Sequence, residues 1–348
     1  MKNSNANKAL FNRDPILKVT GLNKVFGRSK GFFGKSTSLV QAVTDVDFEV
    51  YPGETLAIVG ESGCGKSTTA RLILRLIEPD SGNIIVDGMD ISKNDALELK
   101  HLRKSVQMVF QDSYASLNPR LTIGQAVMFG PRTLGLSIVK AREIARETLS
   151  NVGLDPTRFE GLFPHQISGG QRQRGNIARS LAFRPKIVVM DEPLSALDKS
   201  IEAQVVNLLC DLRDQYNLTY VFISHDLNVV QYIADRVLVM YLGKVVEIGD
   251  VGSLFSNPRH PYTRALMASV PSRDPKIRTQ SAPIMGDLPS PINPPSGCRF
   301  RTRCPYAEDI CGAEVPLLTP QKSAGGNQVA CHMEKIGSGH SKGGILDE

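Results

Sequence analysis

Residues 60–67, GESGCGKS, place glycine, four residues, glycine, lysine and serine directly after the short apolar run TLAIV. Backbone amides of such a loop, opening a helix, point at phosphate oxygens. Lys66 then reaches the β- and γ-phosphates, and the Ser67 hydroxyl can ligate Mg2+. A plain glycine-rich turn is the blander reading, but the strand-like run before it and the helix-spaced KSTTARLILRLI after it fit phosphate binding. A second element, IVVMDEP at 187–193, is an apolar strand that delivers Asp191 and Glu192 at its end. Acids also cap strands as solvated ends. Placed about 120 residues after a phosphate loop, this pair suits Mg2+ held by Asp191 through water and an attacking water polarised by Glu192.

A third element, ISGGQRQR at 167–174, opens a helix that continues NIARSLAF just before the acidic strand. Two glycines at a helix start let backbone amides and the Ser168 hydroxyl approach an anion closely. One phosphate loop has no need of a second such terminus, so this one would serve another nucleotide. With these three motifs in this order, residues 16–262 resemble the ATPase subunits of ATP-binding cassette (ABC) transporters. In that family the signature of one subunit, here Ser168, Gly169, Gly170 and Gln171, covers the nucleotide bound to its partner.

The resemblance implies further roles. Gly60, Glu61, Ser62, Gly63, Cys64, Gly65, Lys66, Ser67 and Thr68 would bind the nucleotide. Ser67, Gln111 and Asp191 would serve Mg2+. Gln111, ending QMVFQ, matches the glutamine loop, Asp198 in SALD the loop through which paired ATPases communicate, and His225 in FISHD the switch histidine. Glu192, His225, Lys66 and Gln111 form the implied catalytic set. Phe26 is the choice for stacking on adenine, with Phe32 and Phe33 as alternatives in the long loop from Gly27 to Ser38. The guanine-reading pattern NKxD is absent, since Val25 and Phe26 follow Asn23 and Lys24, so ATP is the expected nucleotide.

The elements that must position these groups alternate short β-rich runs with helix-like runs from Ile16 onward, which indicates an α/β fold with a mainly parallel sheet. LKVTGLNKVF, LVQAVTDVDFEV, TLAIVG, KIVVMDE and TYVFISHD are the strand-like stretches. Between Gln111 and Ser168 the β signal fades, and IVKAREIARETLSNVGL reads as a charged amphipathic helix. The expected organisation is therefore a flexible tail at 1–14, an ABC ATPase domain at 15–262 with a mixed sheet core and a helical subdomain inserted at about 112–178, and a small loop-rich appendage at 263–348.

With 348 residues, the chain exceeds what one core usually supports. The +6 formal charge is mild and spread out, which permits contact with lipid or nucleic acid without requiring it. The Asn-rich start MKNSNANKALFNRD lacks the apolar core of a secretory signal, and no run of about 18 apolar residues occurs. The expected location is the cytoplasmic face of the plasma membrane, held there by partners. NPRHPYTRALMASVP at 257–271 and FQDSYASLNPRLTIGQ at 110–125 resemble the oligopeptide and dipeptide uptake branch. That resemblance implies a second ATPase subunit, two permease subunits and an external solute-binding protein, with no nucleic acid. The rival is an ABC ATPase acting on nucleic acid or ribosomes; such proteins tend to carry coiled-coil arms or two cassettes, and neither is visible here.

Six cysteines occur in all, four of them late: Cys298, Cys304, Cys311 and Cys331, separated by five, six and nineteen residues. A reducing compartment argues against disulfides as their use. The spacing matches neither paired CxxC zinc knuckles nor the bacterial ferredoxin run, so it suggests one metal centre without naming the metal, with four reduced cysteines in a loop as the blander reading. Seven prolines between Pro271 and Pro295 oppose regular structure, which argues for a staple. Arg299, Arg301 and Arg303 could offset the charge of a thiolate-held cluster. The family resemblance tips the expectation to [4Fe-4S], with Zn2+ as the alternative metal and His332 as an alternative ligand. The tail GSGHSKGGILDE predicts disorder.

Overall fold

A computed structural model describes residues 14–27, 39–92, 96–269, 286–320 and 327–344. Most of the expected N-terminal tail, the alternative aromatics Phe32 and Phe33, and the first prolines of the proline-rich stretch lie outside them. Strands β1 (Leu17–Phe26) and β2 (Val40–Val50) pair antiparallel. Strand β3 (Thr55–Val59) is buried at every residue and leads through the phosphate-loop sequence into helix α1 (Lys66–Ile73). Strands β4 (Ser81–Val86) and β5 (Met89–Asp90) complete a four-stranded antiparallel sheet in the order β2-β1-β4-β5.

The second sheet holds the strands that carry most of the expected site residues. After α2 (Ala96–Ser105) and β6 (Val106–Val109), the chain leaves the sheet for helices α3 (Ile123–Thr133), α4 (Ile138–Asn151), α5 (Pro156–Phe159) and α6 (Gly169–Leu181). It returns as β7 (Ile187–Asp191), α7 (Lys199–Tyr216), β8 (Thr219–Ile223), α8 (Leu227–Ile233), β9 (Arg236–Tyr241) and β10 (Lys244–Asp250). Strands β9, β3, β8, β7 and β6 run parallel to their neighbours in that order. Short, mainly apolar strands such as IVVMD and TYVFI suit a sheet covered on both faces, and both are buried throughout. The order β3-β8-β7 brings three strand ends together, those that lead to the phosphate loop, His225 and Asp191. Ligands of open α/β sheets bind outside such carboxyl ends.

The helices between β6 and β7 start on local signals. The Thr122 hydroxyl accepts from the Gln125 amide while the Gln125 side chain accepts from the Thr122 amide, and Ser137 caps α4. Their apolar faces, including Ile123, Val127, Leu149 and Ile177, merge with Val188 and Met190 of β7 and Val205 of α7 in one core cluster. The helices are thereby packed on the sheet and do not form a separate core.

The C-terminal segment is mostly loop but is joined to the sheet and core of the preceding chain. Past α9 (Val251–Ser256) and α10 (Pro261–Ala268), short α11 (Asp309–Ala313) is followed by β11 (Thr319–Pro320) and β12 (Gln328–Val329). Strand β12 adds antiparallel to β10, pairing Val329 with Glu247 and Gln328 with Ile248, and so extends the main sheet. Phe300, 2% exposed, inserts into the core formed by Tyr241, Tyr262 and Val239. Burying a phenylalanine this fully is worth about 2–3 kcal/mol. The segment thus borrows the core and sheet edge of the preceding chain, which answers in part the need for a staple. Composition predicts disorder from Gly337 onward, yet His340 is buried with its ring bonded to the Tyr306 carbonyl at 2.8 Å, and Ser341 donates its amide to Glu308 at 2.8 Å. A buried ring and a backbone amide, each with a specific partner, anchor a sequence that has almost no apolar residues.

Candidate functional site

Three glycines shape the phosphate loop. Gly60 has φ 149° and Gly65 φ 107°, and a Cβ on them would lie 2.2 Å from the Met240 carbonyl and 2.3 Å from the Ala42 carbonyl. Gly63, with φ 78°, has open space around it; its requirement is conformational alone. The Lys66 ammonium is buried and donates to the carbonyls of Gly60 at 2.8 Å and Glu61 at 3.0 Å. The Cys64 side chain within the loop is buried, its sulfur 3.9 Å from that ammonium, and burial pushes its thiol pKa up.

The acidic strand end meets the loop directly. The Ser67 hydroxyl donates to Asp191 Oδ1 at 2.8 Å. Burial pushes the Asp191 pKa up, the Ser67 bond opposes it, and neighbouring Glu192 adds to it. A hydroxyl and a carboxylate side by side are hard oxygen donors of the kind Mg2+ takes, so these residues fit that ion. Glu192 sits at φ 46°, a left-handed conformation that a non-glycine residue seldom adopts and that collects at functional sites. Its Oε2 receives Gln111 Nε2 at 3.1 Å and faces His225 Nδ1 at 3.3 Å. Two side chains expected to act with Glu192, themselves 114 residues apart, therefore converge on one of its carboxylate oxygens.

The signature residues bond within their own helix start. Ser168 is the N-cap of α6, its hydroxyl accepting from the Gln171 amide at 3.3 Å while the Gln171 side chain accepts from the Ser168 amide at 2.9 Å. A Cβ on Gly170 would come within 2.5 Å of Ile201, so this glycine also lets α6 and α7 pack. Asp198 is the N-cap of α7 without a side-chain capping bond. Phe26 ends β1, paired with Val40 and 41% exposed. Thr68 follows in α1, and Ser62 in the loop.

The four late cysteines share one neighbourhood. All are free thiols. Burial pushes Cys298 up to about 11 and Cys331 up to about 12, and the charges that Cys298, Cys304 and Cys311 would carry add to the push on Cys331. The Cys298 amide donates to the Cys311 carbonyl at 2.8 Å, closing the turn between them. Even so, among the described residues no group of three or more His, Cys, Asp or Glu side chains is arranged to hold a metal ion. The expected metal site finds no support in this geometry. His332 uses Nε2 to bond the Glu314 carbonyl at 3.0 Å. The arginines expected to balance a cluster have other partners: Arg303 pairs with Glu61, Arg301 bonds the Ser296 carbonyl, and Arg299 bonds Gln41, Thr44 and the Leu242 carbonyl.

Comparison with known proteins decides the family. A family model described as "ABC transporter" matches residues 43–195, and one described as "Oligopeptide/dipeptide transporter, C-terminal region" matches residues 246–311. The "Probable peptide ABC transporter ATP-binding protein y4tS" of Sinorhizobium fredii is 49% identical over 321 residues, 92% of this chain and 90% of that protein. The chain belongs to the ABC transporter ATPase family. The "Oligopeptide transport ATP-binding protein AppF" of Bacillus subtilis is 47% identical to this ABC ATPase across 92% of it and 98% of AppF. Among solved structures, the dimeric, ADP- and Pi-bound ATP-binding cassette MJ0796 is similar at TM-score 0.59 with 29% identity, over 68% of this chain and 98% of that one. The nucleic-acid alternative has no support among these relatives. No helix among the described residues of this ABC ATPase is long and apolar enough to cross a membrane.

Sequence reasoning missed two neighbours of the phosphate loop. Tyr262 accepts the Glu61 amide on its hydroxyl at 2.8 Å, and Arg303 binds the Glu61 carboxylate at 2.8 Å. They stand 201 and 242 residues away along the chain, so no local pattern could have announced them.

Proposed function

We propose that this chain is the ATP-hydrolysing subunit of an importer for di- or oligopeptides or a related small solute. It works peripherally at the cytoplasmic face of the plasma membrane with a second ATPase and two permease subunits, supplied by an external solute-binding protein. What carries the reading is the joining of the ATPase chemistry at residues 60–67 and 191–192 to a C-terminal region of oligopeptide/dipeptide transporter type. The peptide-transport names of relatives at 47–49% identity support the solute class.

In this reading two ATPases pair head to tail. The loop from Gly60 to Thr68 holds the phosphates of ATP, with Lys66 placing charge against the terminal ones. Ser67 and Asp191, with Gln111, would hold Mg2+, which when bound neutralises phosphate charge. Glu192 orients and polarises the attacking water; Gln111 and His225, both on its Oε2 side, hold that carboxylate in place and face the γ-phosphate. Phe26 stacks on adenine. Ser168, Gly169, Gly170 and Gln171 close over the partner's ATP, and Asp198 lies where the two subunits communicate. Catalysis is positioning and charge stabilisation. The residues 15–262 act as the motor and 263–348 as its appendage.

The test is reconstitution with permease and solute-binding subunits of an oligopeptide/dipeptide system, followed by uptake of labelled di- and oligopeptides. Uptake should require ATP on the cytoplasmic side. Transport of a metal ion or sugar with no peptide uptake would replace the solute class, and ATPase activity stimulated by DNA or ribosomes in place of the permeases would replace the reading itself.

For the cysteines we propose a [4Fe-4S] cluster as the occupant, a reading that rests on the family resemblance and on the crowding of Cys298, Cys304, Cys311 and Cys331 late in the sequence. Cluster ligands bind separate irons, so they need not converge on one point as zinc ligands must. Anaerobic purification should give a brown protein with about four irons per chain. Stoichiometric zinc without colour would install Zn2+, and metal-free protein with four titratable thiols would remove both.

A further inference from the structure

Glu61, the second residue of the phosphate loop, is held at three points. Its amide donates to Tyr262, its carbonyl accepts from Lys66, and its carboxylate is gripped by Arg303 Nη1 at 2.8 Å. The Arg303 side chain is 8% exposed and that of Glu61 24%, so the pair is shielded far better than an ordinary surface ion pair. Arg303 is itself fixed. Its amide donates to the Phe300 carbonyl at 2.9 Å, and its guanidinium donates to the Tyr241 hydroxyl at 3.4 Å. The Tyr241, Tyr262 and Phe300 rings pack against one another with centroids 4.7–5.5 Å apart, and this buried aromatic cluster sets where the guanidinium sits.

The same turn reaches the other end of the loop. Arg299 bonds Gln41 at 2.6 Å and Thr44 at 3.1 Å, on either side of the Ala42 carbonyl that lies against Gly65. The Gly243 amide, next to the Leu242 carbonyl that Arg299 also bonds, donates to the Cys64 carbonyl at 2.8 Å. Cys298 and Cys304 bracket this arginine-bearing turn.

We infer that Arg303 is a positioning residue for ATP binding: it neutralises and anchors Glu61, so that the cysteine-bearing C-terminal turn keeps the phosphate loop receptive to a polyphosphate. An unpaired Glu61 carboxylate would add repulsion at the edge of a site that must accept several negative charges. The inference rests on the ATP-site reading of residues 60–67.

The experiment measures ATP affinity of the full chain with a fluorescent ATP analogue, and KM and kcat in the assembled transporter. Arg303→Ala should weaken ATP binding and raise KM about ten-fold, within the usual range of site-to-site coupling, with a much smaller change in kcat. Arg303→Lys, which keeps the charge but not the planar fork, should recover part of the loss. In a Glu61→Gln background, Arg303→Ala should cost little, because the charge it balances is gone; the double-mutant cycle reads this directly. If Arg303→Ala fails to fold, Arg303→Gln supplies the same cycle at similar volume. A KM within two-fold of the parent, or strictly additive effects with Glu61→Gln, would reduce Arg303 to a packing residue and overturn the inference. Lys66→Ala separates the two readings: if it binds ATP as the parent does, the ATP-site assignment itself fails, whereas lost binding there with an unaffected Arg303→Ala removes only the positioning role.

Discussion

Glu192→Gln is expected to leave ATP binding intact and to lower turnover by about 10²–10⁴-fold. The amide has the shape of the carboxylate and can still contact Gln111 and His225, which approach its Oε2 at 3.1 and 3.3 Å. It cannot take up charge from a water that is losing a proton. Interactions made mainly in the transition state govern kcat and leave ground-state binding alone. Because Glu192 is already held at φ 46° by its amide bond to the Ile223 carbonyl at 3.0 Å, the substitution need not move the backbone. The measurement is nucleotide affinity beside ATP turnover in the assembled transporter, with the partner ATPase's own catalytic carboxylate also replaced. Near-parental hydrolysis in that doubly disabled complex would assign the catalytic base elsewhere.

Ser168→Arg should lower turnover of the assembled pair by about 10²–10³-fold, the scale of losing one donor from a charge-stabilising site, while this chain alone still binds ATP. The asymmetry follows from geometry. None of the hydrogen bonds of Ser168 and Gln171 reaches residues 60–67; both serve to cap α6. The substitution removes that cap, at a cost of about 1 kcal/mol, and sets a bulky cation where a second subunit's phosphate would dock. Ser168→Asn is the control, since asparagine caps helices as well as serine without the added length and charge. If the asparagine variant hydrolyses ATP slowly but the arginine variant also loses ATP binding on its own chain, the damage is local and the shared-site arrangement fails. Full activity of the arginine variant would fail it equally.

Much of the site was legible because its chemistry is local. A phosphate loop needs glycines, a lysine and a serine within eight residues, and the acidic pair needs only an apolar strand before it; both are contiguous in GESGCGKS and IVVMDEP. Buried parallel strands also announce themselves, since both faces demand apolar side chains. What could not be read is anything that depends on which distant strands become neighbours. The contact of Ser67 with Asp191, the meeting of Gln111 and His225 on Glu192, and the grip of Arg303 on Glu61 exist because β3, β8 and β7 lie side by side and Phe300 seats in the core. The C-terminal turn shows the division most sharply. Its cysteines and arginines were visible and suggested a metal with balancing charge. The fold turned Arg299 and Arg303 toward β2 and the phosphate loop, because a guanidinium that is buried must find an oxygen partner, and those partners lie more than 200 residues earlier in the chain. Sequence determined which groups could do chemistry, and tertiary structure decided which of them meet, since contact between distant residues is a property of packing and leaves no local pattern.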